Sequence, residues 1–338
     1  MVIDLTGGLN PAVERTQTAS PADPTFREGM SFWINDDQGR FALPRMGIEA
    51  DGKSWALRAE HVNIAFPDGR ALEERGKGTK TTAAGPGGDA LTFRCLDPFK
   101  RWSVSFHGMA RDATAKQQLA GSLGDGPKVQ VDLELEATMA APPWIQGTMS
   151  EDAKRLMANE VEGKFMGGDR YEQLCRCKGM LRVGSQEYSF TGTGLRILRR
   201  GVRQMVGWHG HCWQSAIFPS GRGFGYICFP PRPDGTRSYD EGFLLEQGRL
   251  IPARVVEAPW LTDLRPAGGK ASVVLESARG RTRIEGETVA STFHMMDEWD
   301  ATGRVVPGRA MPLQQGMARY RLDGEIAYGM IERSYPQR

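Results

Sequence analysis

The chain has few cysteines, almost no charge imbalance and no long apolar run, and each shortage excludes something. Its five cysteines, Cys95, Cys175, Cys177, Cys212 and Cys228, are an odd number with no C-x-x-C pair. A disulfide framework, a zinc ribbon and a thioredoxin-like site are therefore not indicated, and reduced, buried thiols are expected. Cys175 and Cys177 would share one face of a strand, but two further ligands at matching spacing are missing, so no metal is expected. Lys and Arg total 43 against 41 Asp and Glu, a net charge of +2. That is too balanced for a chain devoted to neutralising phosphate or docking on anionic lipid, and nucleic acid is not an expected partner. No apolar stretch suits a membrane span. The N-terminal MVIDLTGGLNPAVERTQTASPADPTF has no basic segment leading into an apolar one, so no secretion signal is read and a cytoplasmic location is expected. The sequence also lacks G-x-G-x-x-G after a strand, G-x-x-x-x-G-K-[ST], G-x-S-x-G and H-E-x-x-H. These absences disfavour dinucleotide redox, P-loop hydrolysis, serine-hydrolase and zinc-protease chemistry, and no cofactor is expected.

What is present is an ordinary apolar fraction, 40% of 338 residues with 25% charged and a mean hydropathy of −0.43, enough for a large core. The length suggests about two domains. Glycine (42) and proline (20) punctuate the chain at short intervals, and between them the residues alternate. In KVQVDLELEATM, Val129, Val131, Leu133 and Leu135 face one way while Gln130, Asp132, Glu134 and Glu136 face the other, the pattern of a half-buried antiparallel strand. SWALRAEHVNIAF, DALTFRCL and WSVSFHGMA read alike. After the Pro-Pro at 142–143, SEDAKRLMANEVEG carries a capping Ser150, acidic Glu151 and Asp152 and a helical Leu156. Alternation then resumes from YEQLCRCKGMLRVG to GMARYRLDGEIAYGMIERS. The expectation is an all-β chain of two barrels, each closed to remove its edges: an N-terminal β domain over 1–148, a linker helix over 149–162 and a C-terminal β domain over 163–338. Eight Trp and fourteen Phe would line an apolar cavity within a barrel or a cleft between the two, either of which suits a lipophilic small molecule.

GWHGHCW, Gly207–Trp213, is the densest chemical cluster. As a strand it places His209, His211 and Trp213 on one face and Trp208 and Cys212 on the other. Two imidazoles beside an indole are suited to proton transfer next to an apolar substrate, although half-buried histidine also occurs as simple packing. Tyr171, Gln173 and Cys175 share a face of another strand, with Glu172 and Arg176 opposite. The phenol and amide can orient an oxygen, or serve as a cross-strand packing set. Arg196, Arg199, Arg200 and Arg203 form a basic run that either binds an acidic group or pairs with carboxylates. His294, Asp297 and Glu298 fit a surface turn as well as a site. Glu332, flanked by apolar residues, must be paired or proton-shifted if it points inward.

YEQLCRCKGMLRVGSQEYSFTGTGLRILRRGVR, the Trp/His strand, FPSGRGFGY, EGFLLEQGRL and GEIAYGMIERS together resemble the lipocalin-like superfamily that includes carotenoid 1,2-hydratases, kievitone hydratase and AttH-like proteins. The likeness covers most of residues 160–338 and, more faintly, the first half. It implies two consecutive lipocalin-like β barrels and an activity that adds or removes water at isoprenoid double bonds, or cyclises polyenes and polyketides, without cofactors. Many relatives carry G-x-G-x-R-D-x-S-W-G-x-R. This chain keeps Gly192, Gly194, Arg196, Gly201 and Arg203 but has Ile197, Leu198, Arg199 and Arg200 in place of Asp, a variable residue, Ser and Trp. The missing acid moves the acid–base work to Tyr171, His211 and Glu332.

The leading expectation is a hydratase or dehydratase, or a related isomerase or cyclase, acting on an isoprenoid, steroid-like or polyketide-like molecule. Glu332 or His211 would protonate an alkene, Trp213 would stabilise positive charge, and Tyr171 with Gln173 would orient an oxygen or water. Arg196, His209, Trp208 and Tyr226 would complete the substrate contacts. The alternative is a non-catalytic carrier or sensor of a hydrophobic ligand, and a protein-interaction module ranks third.

Overall fold

A computed structural model describes residues 3–121, 126–158, 160–204, 207–232, 234–300 and 304–335. Strands β1 (Phe26–Asp36), β2 (Ala42–Asp51), β3 (Arg58–Ala65), β4 (Arg70–Gly78), β5 (Leu91–Asp97), β6 (Arg101–Thr114), β7 (Lys128–Met139), β8 (Trp144–Ile145), β9 (Asp169–Val183) and β10 (Gln186–Val202) form one antiparallel sheet. Because β9 pairs with β10 and β10 with β1, the pairings run in a closed circuit β1-β2-β3-β4-β6-β7-β9-β10, with β5 added to β6 and β8 to β9. A second, closed barrel contains β11 (His211–Ile217), β12 (Gly223–Cys228), β13 (Asp240–Glu246), β14 (Arg249–Glu257), β15 (Val273–Ser277), β16 (Gly280–Trp299), β17 (Val305–Leu322) and β18 (Glu325–Ser334). The all-β expectation holds. The alternation read in Lys128–Met139 is the observed burial: Val131, Leu133 and Leu135 are buried and Glu134 is exposed.

The helical segment comprises α2 (Glu151–Met157) and α3 (Glu160–Met166), preceded in the chain by the short α1 (Ala115–Leu119). Ser150 caps α2 by accepting the Ala153 amide at 3.0 Å, as its hydroxyl and position favour. Both helices precede β9 and β10, which hydrogen bond to β7 and β1. The passage from the first sheet to the second thus falls between Val202 and His211.

Strand parity sorts most of the apolar core into three clusters, with a small fourth at Ala42, Ala65, Ala290 and Met317. Inward residues such as Phe32, Trp102, Phe106, Leu133, Cys175 and Leu198 fill the first barrel, and Cys212, Phe224, Tyr226, Leu275, Tyr320 and Ile331 fill the second. A third cluster joins outward residues of both: Trp33, Trp144, Phe165, Leu174 and Ile197 meet Trp208, Trp213, Ile227 and Phe229. Burying part of both outer faces against each other explains why apolar residues such as Leu174, Ile197 and Ile227 occupy outward positions on strands that also carry polar ones there. Gly192 and Gly194 belong to this close packing. A Cβ on Gly194 would lie 2.0 Å from the Trp33 carbonyl oxygen, and one on Gly192 would lie 2.4 Å from that of Asn35. The Gly-Thr-Gly of β10 is therefore a strand-contact device.

Candidate active site

Between the two barrels lies a cleft of about 160 Å³. Its first wall is the outer face of the first barrel, where one row of strand partners runs Glu49, Gly29, Arg199, Arg170 across β2, β1, β10 and β9. The adjacent row runs Gly47, Ser31, Ile197, Glu172. The opposite wall is the outer face of the second barrel, where Ile227, Trp213, Glu332 and Gln315 are partners across β12, β11, β18 and β17. Phe165 stacks on Trp208, centroids 5.8 Å apart and planes 10° from parallel, and Met166, Phe229, Met296 and Leu313 complete the apolar lining.

At the centre is a buried relay. His211 Nε2 lies 2.9 Å from Glu332 Oε1 and Nδ1 lies 2.7 Å from Ser334 Oγ. The pairing of β11 with β18 sets Ser334 opposite His211 and Glu332 opposite Trp213, which brings together residues 121 positions apart in the chain. The Gln315 amide donates to the other carboxylate oxygen. Burial opposes ionisation of Glu332, but His211, Arg45 and Gln315 outweigh it and hold its pKa at about 2. Glu332 is thus a carboxylate at neutral pH. The expectation that a resting, protonated Glu332 is the acid does not fit this ionised form.

Trp213 donates its indole N–H to Glu172 at 3.0 Å. Arg170 lies over its ring at 4.8 Å and the Trp33 ring meets it edge-on at 5.6 Å. Glu172 also accepts from Gln146 and Arg170; burial raises its pKa despite Arg170. Among the described residues the indole nitrogens of Trp33 and Trp208 are buried without a hydrogen-bond partner, although both rings line the cleft. Two uncompensated donors in an aromatic pocket can take a substrate oxygen.

Arg45 and Glu49 were not singled out by the sequence. Arg45 adopts φ of +55°, an uncommon conformation for a residue with a side chain, at the irregularity between Ala42 and Gly47 in the β2–β3 pairing. Its guanidinium reaches Glu49 at 2.8 Å. The two side chains keep 33% and 46% of their surface accessible because the cleft reaches them. Burial opposes ionisation of Glu49, but Arg45 and His61 hold it well below the usual carboxylate range.

The remaining predicted residues lie elsewhere. Tyr171, Gln173 and Arg196 point into the first barrel, where Glu14 of a 3₁₀ turn (Pro11–Glu14) accepts from Tyr171 and from Arg196 at 2.7 Å. Gln173 donates to the carbonyls of Leu5, Phe99 and Ala141, and the Arg196 guanidinium lies 4.9 Å over Trp102. This network ties the N-terminal segment to the barrel interior, and none of the three lines the cleft. Tyr226 points into the second barrel, its hydroxyl 3.2 Å from Cys212 Sγ. His209 does not share a strand face with His211, because Gly210 at φ +120° turns the chain and β11 starts at His211. Its Nδ1 instead lies 2.8 Å from the Gly207 carbonyl oxygen. Of the basic run, Arg200 pairs with Glu28, while Arg199 and Arg203 line the cleft. His294, Asp297 and Glu298 belong to β16 rather than to a turn.

Among solved structures, that of CghA with Sch210972 is similar over 93% of this chain and 89% of its own, at 11% identity and a TM-score of 0.52. Kievitone hydratase from Nectria haematococca is similar over 98% and 95%, at 10% identity and a TM-score of 0.50. A putative AttH from Nitrosomonas europaea aligns over 92% of both chains at 13% identity and a TM-score of 0.49. At such identities the shared feature is the fold. No curated protein matches the sequence. The sequence does match one family model over residues 10–337, and the chain belongs to that family, described as Domain of unknown function (DUF7064).

Proposed function

We propose that the cleft is the active site of a hydratase or dehydratase, or of a related isomerase or cyclase, that handles a lipophilic small molecule by acid–base chemistry of its own side chains. The observation that carries this reading is the buried Ser334–His211–Glu332 relay opening onto an aromatic cleft. A carboxylate held ionised at about pH 2 and above is a proton acceptor, and an imidazole bonded at both nitrogens can pass the proton on toward Ser334. In the dehydration direction Glu332 takes a proton from carbon as the C–O bond breaks; the indole N–H of Trp208 or Trp33 holds the departing hydroxide, and the proton collected on Glu332 is passed through His211 to that hydroxide, which leaves as water, so that hydration runs the same steps in reverse. Trp208, Phe165 and Phe229 exclude water and present ring faces to the substrate. One face of Trp213 is already covered by Arg170, so its part is to anchor Glu172 and shape the wall. Tyr171, Gln173 and Arg196 tie together the interior of the first barrel and Tyr226 that of the second on this reading. The fold shared with kievitone hydratase, a hydratase by its name, supports the class of reaction.

The test is incubation of the purified protein with a lipophilic extract of its source organism, followed by mass spectrometry of retained and released compounds. A pair differing by one water, or an isobaric pair separated by chromatography, is expected with the wild type and lost in His211→Ala. A compound bound and returned unchanged would overturn the enzymatic reading in favour of a carrier.

A further inference from the structure

The carboxylates around the cleft are engaged, whereas Arg199 and Arg203 in its wall make no ion pair with a carboxylate among the described residues. Glu28 is held by Arg58 at 2.7 Å and by Arg200, Glu49 by Arg45, Glu172 by Arg170 and Glu332 by His211. Arg199 makes no hydrogen bond or ion pair among the described residues. Among the described residues Arg203 uses only Nε, donated to the Phe165 carbonyl at 3.0 Å, and it lies 4.7 Å over the Phe165 ring. Both line the cleft, as do Arg45, Arg170 and the exposed Arg27.

The sheet register explains why no directly paired residue neutralises Arg199, whose charge Glu49 favours only from a distance. Its partner on β1 is Gly29, which has no side chain, and its partner on β9 is Arg170, which carries like charge. A Cβ at Gly29 would lie 3.3 Å from Glu49 Cγ, so the glycine keeps the floor between Arg199 and the Arg45–Glu49 pair low. Burial and the like charges of Arg203, Arg170 and Arg45 depress the Arg199 pKa, and Arg203 is lowered to about 10 by burial and the same neighbours. Desolvated, mutually repelling guanidinia cost stability unless an anion joins them. A guanidinium fork matches a planar carboxylate best.

We propose that Arg199 and Arg203 form an anion subsite at one end of the cleft, so that the substrate is a lipophilic carboxylic acid whose carboxylate is held there while its apolar body reaches Trp208 and His211. This rests on the cleft being the substrate site and names the substrate class. The proposal is tested by titrating the wild type with geranic acid and with geraniol at neutral pH, following tryptophan fluorescence, and repeating with Arg199→Gln, Arg203→Gln and Arg199→Lys. Geranic acid is expected to bind at least about tenfold more tightly than geraniol. Either glutamine variant should reduce that preference to about threefold or less with geraniol affinity unchanged, and lysine should restore part of it. Equal binding of acid and alcohol by the wild type, or a preference that survives both glutamine variants, overturns the anion subsite while leaving the cleft reading intact. Binding of neither compound removes both. The comparison within the wild type needs no variant to fold.

Discussion

Replacing Glu332 by Gln keeps the shape of the side chain and removes its charge, so it separates electrostatics from packing. In the folded protein the carboxyl has a pKa of about 2 against an ordinary 4.5, which corresponds to about 3 kcal/mol of stability at neutral pH. The side chain is only 10% exposed, so solvent screening takes little from that figure. Its folded pKa is depressed; the contribution is therefore present above the unfolded value and lost as pH falls through the folded one. The window is from about pH 5 down to about pH 2. Urea unfolding of wild type and variant at pH 7 and at pH 3.5 should show a gap of about 3 kcal/mol at pH 7, smaller by about 1 kcal/mol at pH 3.5. All other carboxylates are common to the two proteins and cancel. Turnover of the substrate should fall by about 10²–10⁴-fold, since an amide cannot accept the proton. A stability gap of the same size at both pH values would refute the argument, because it would mean that the substitution acts through packing and not through the charge.

Three further outcomes follow from the geometry. Arg196→Met strands Glu14 inside the first barrel and strips the Trp102 ring of its guanidinium; a loss of about 3–5 kcal/mol in urea unfolding is expected, and a loss below about 1 kcal/mol would contradict the network. Gly194→Ala drives a Cβ to 2.0 Å from the Trp33 carbonyl, and calorimetry should show a lowered Tm corresponding to about 1–3 kcal/mol; an unchanged Tm would rule out the close strand approach. His211→Ala leaves the Glu332 carboxylate with Gln315 and Arg45 alone and should cost about 1–3 kcal/mol as well as activity, whereas activity retained by a folded variant would remove His211 from the relay.

The sequence determined most of the strands and, within them, which side chains share a face. Alternation with period two identified the strands, and the pairings of Tyr171 with Gln173, His211 with Trp213, and Glu172 against both Tyr171 and Gln173 were all legible, because parity is a local property of an extended chain. The glycine-rich β10 and the capped helix at Ser150 were legible for the same local reasons. Which face would meet the cleft was not. Parity says that Glu172 and Arg199 oppose Tyr171 and Arg196, but only the closing of each barrel decides which set points inward, and only the docking of the two outer faces turns the outward set into the walls of a site. Tyr171 and Tyr226 point inward, whereas Arg199, Glu332 and His211 point into the cleft. Arg45 and Glu49 carried no visible signal, since their role depends on an irregularity in β2 and on partners from the other barrel. His211 and Glu332 were visible as isolated chemistry, but their union across 121 residues and the resulting ionised state of the carboxylate came from the β11–β18 register. Long-range pairing is set by the summed burial of whole strands and not by the residues that meet, which is why the tertiary structure alone assembled the site.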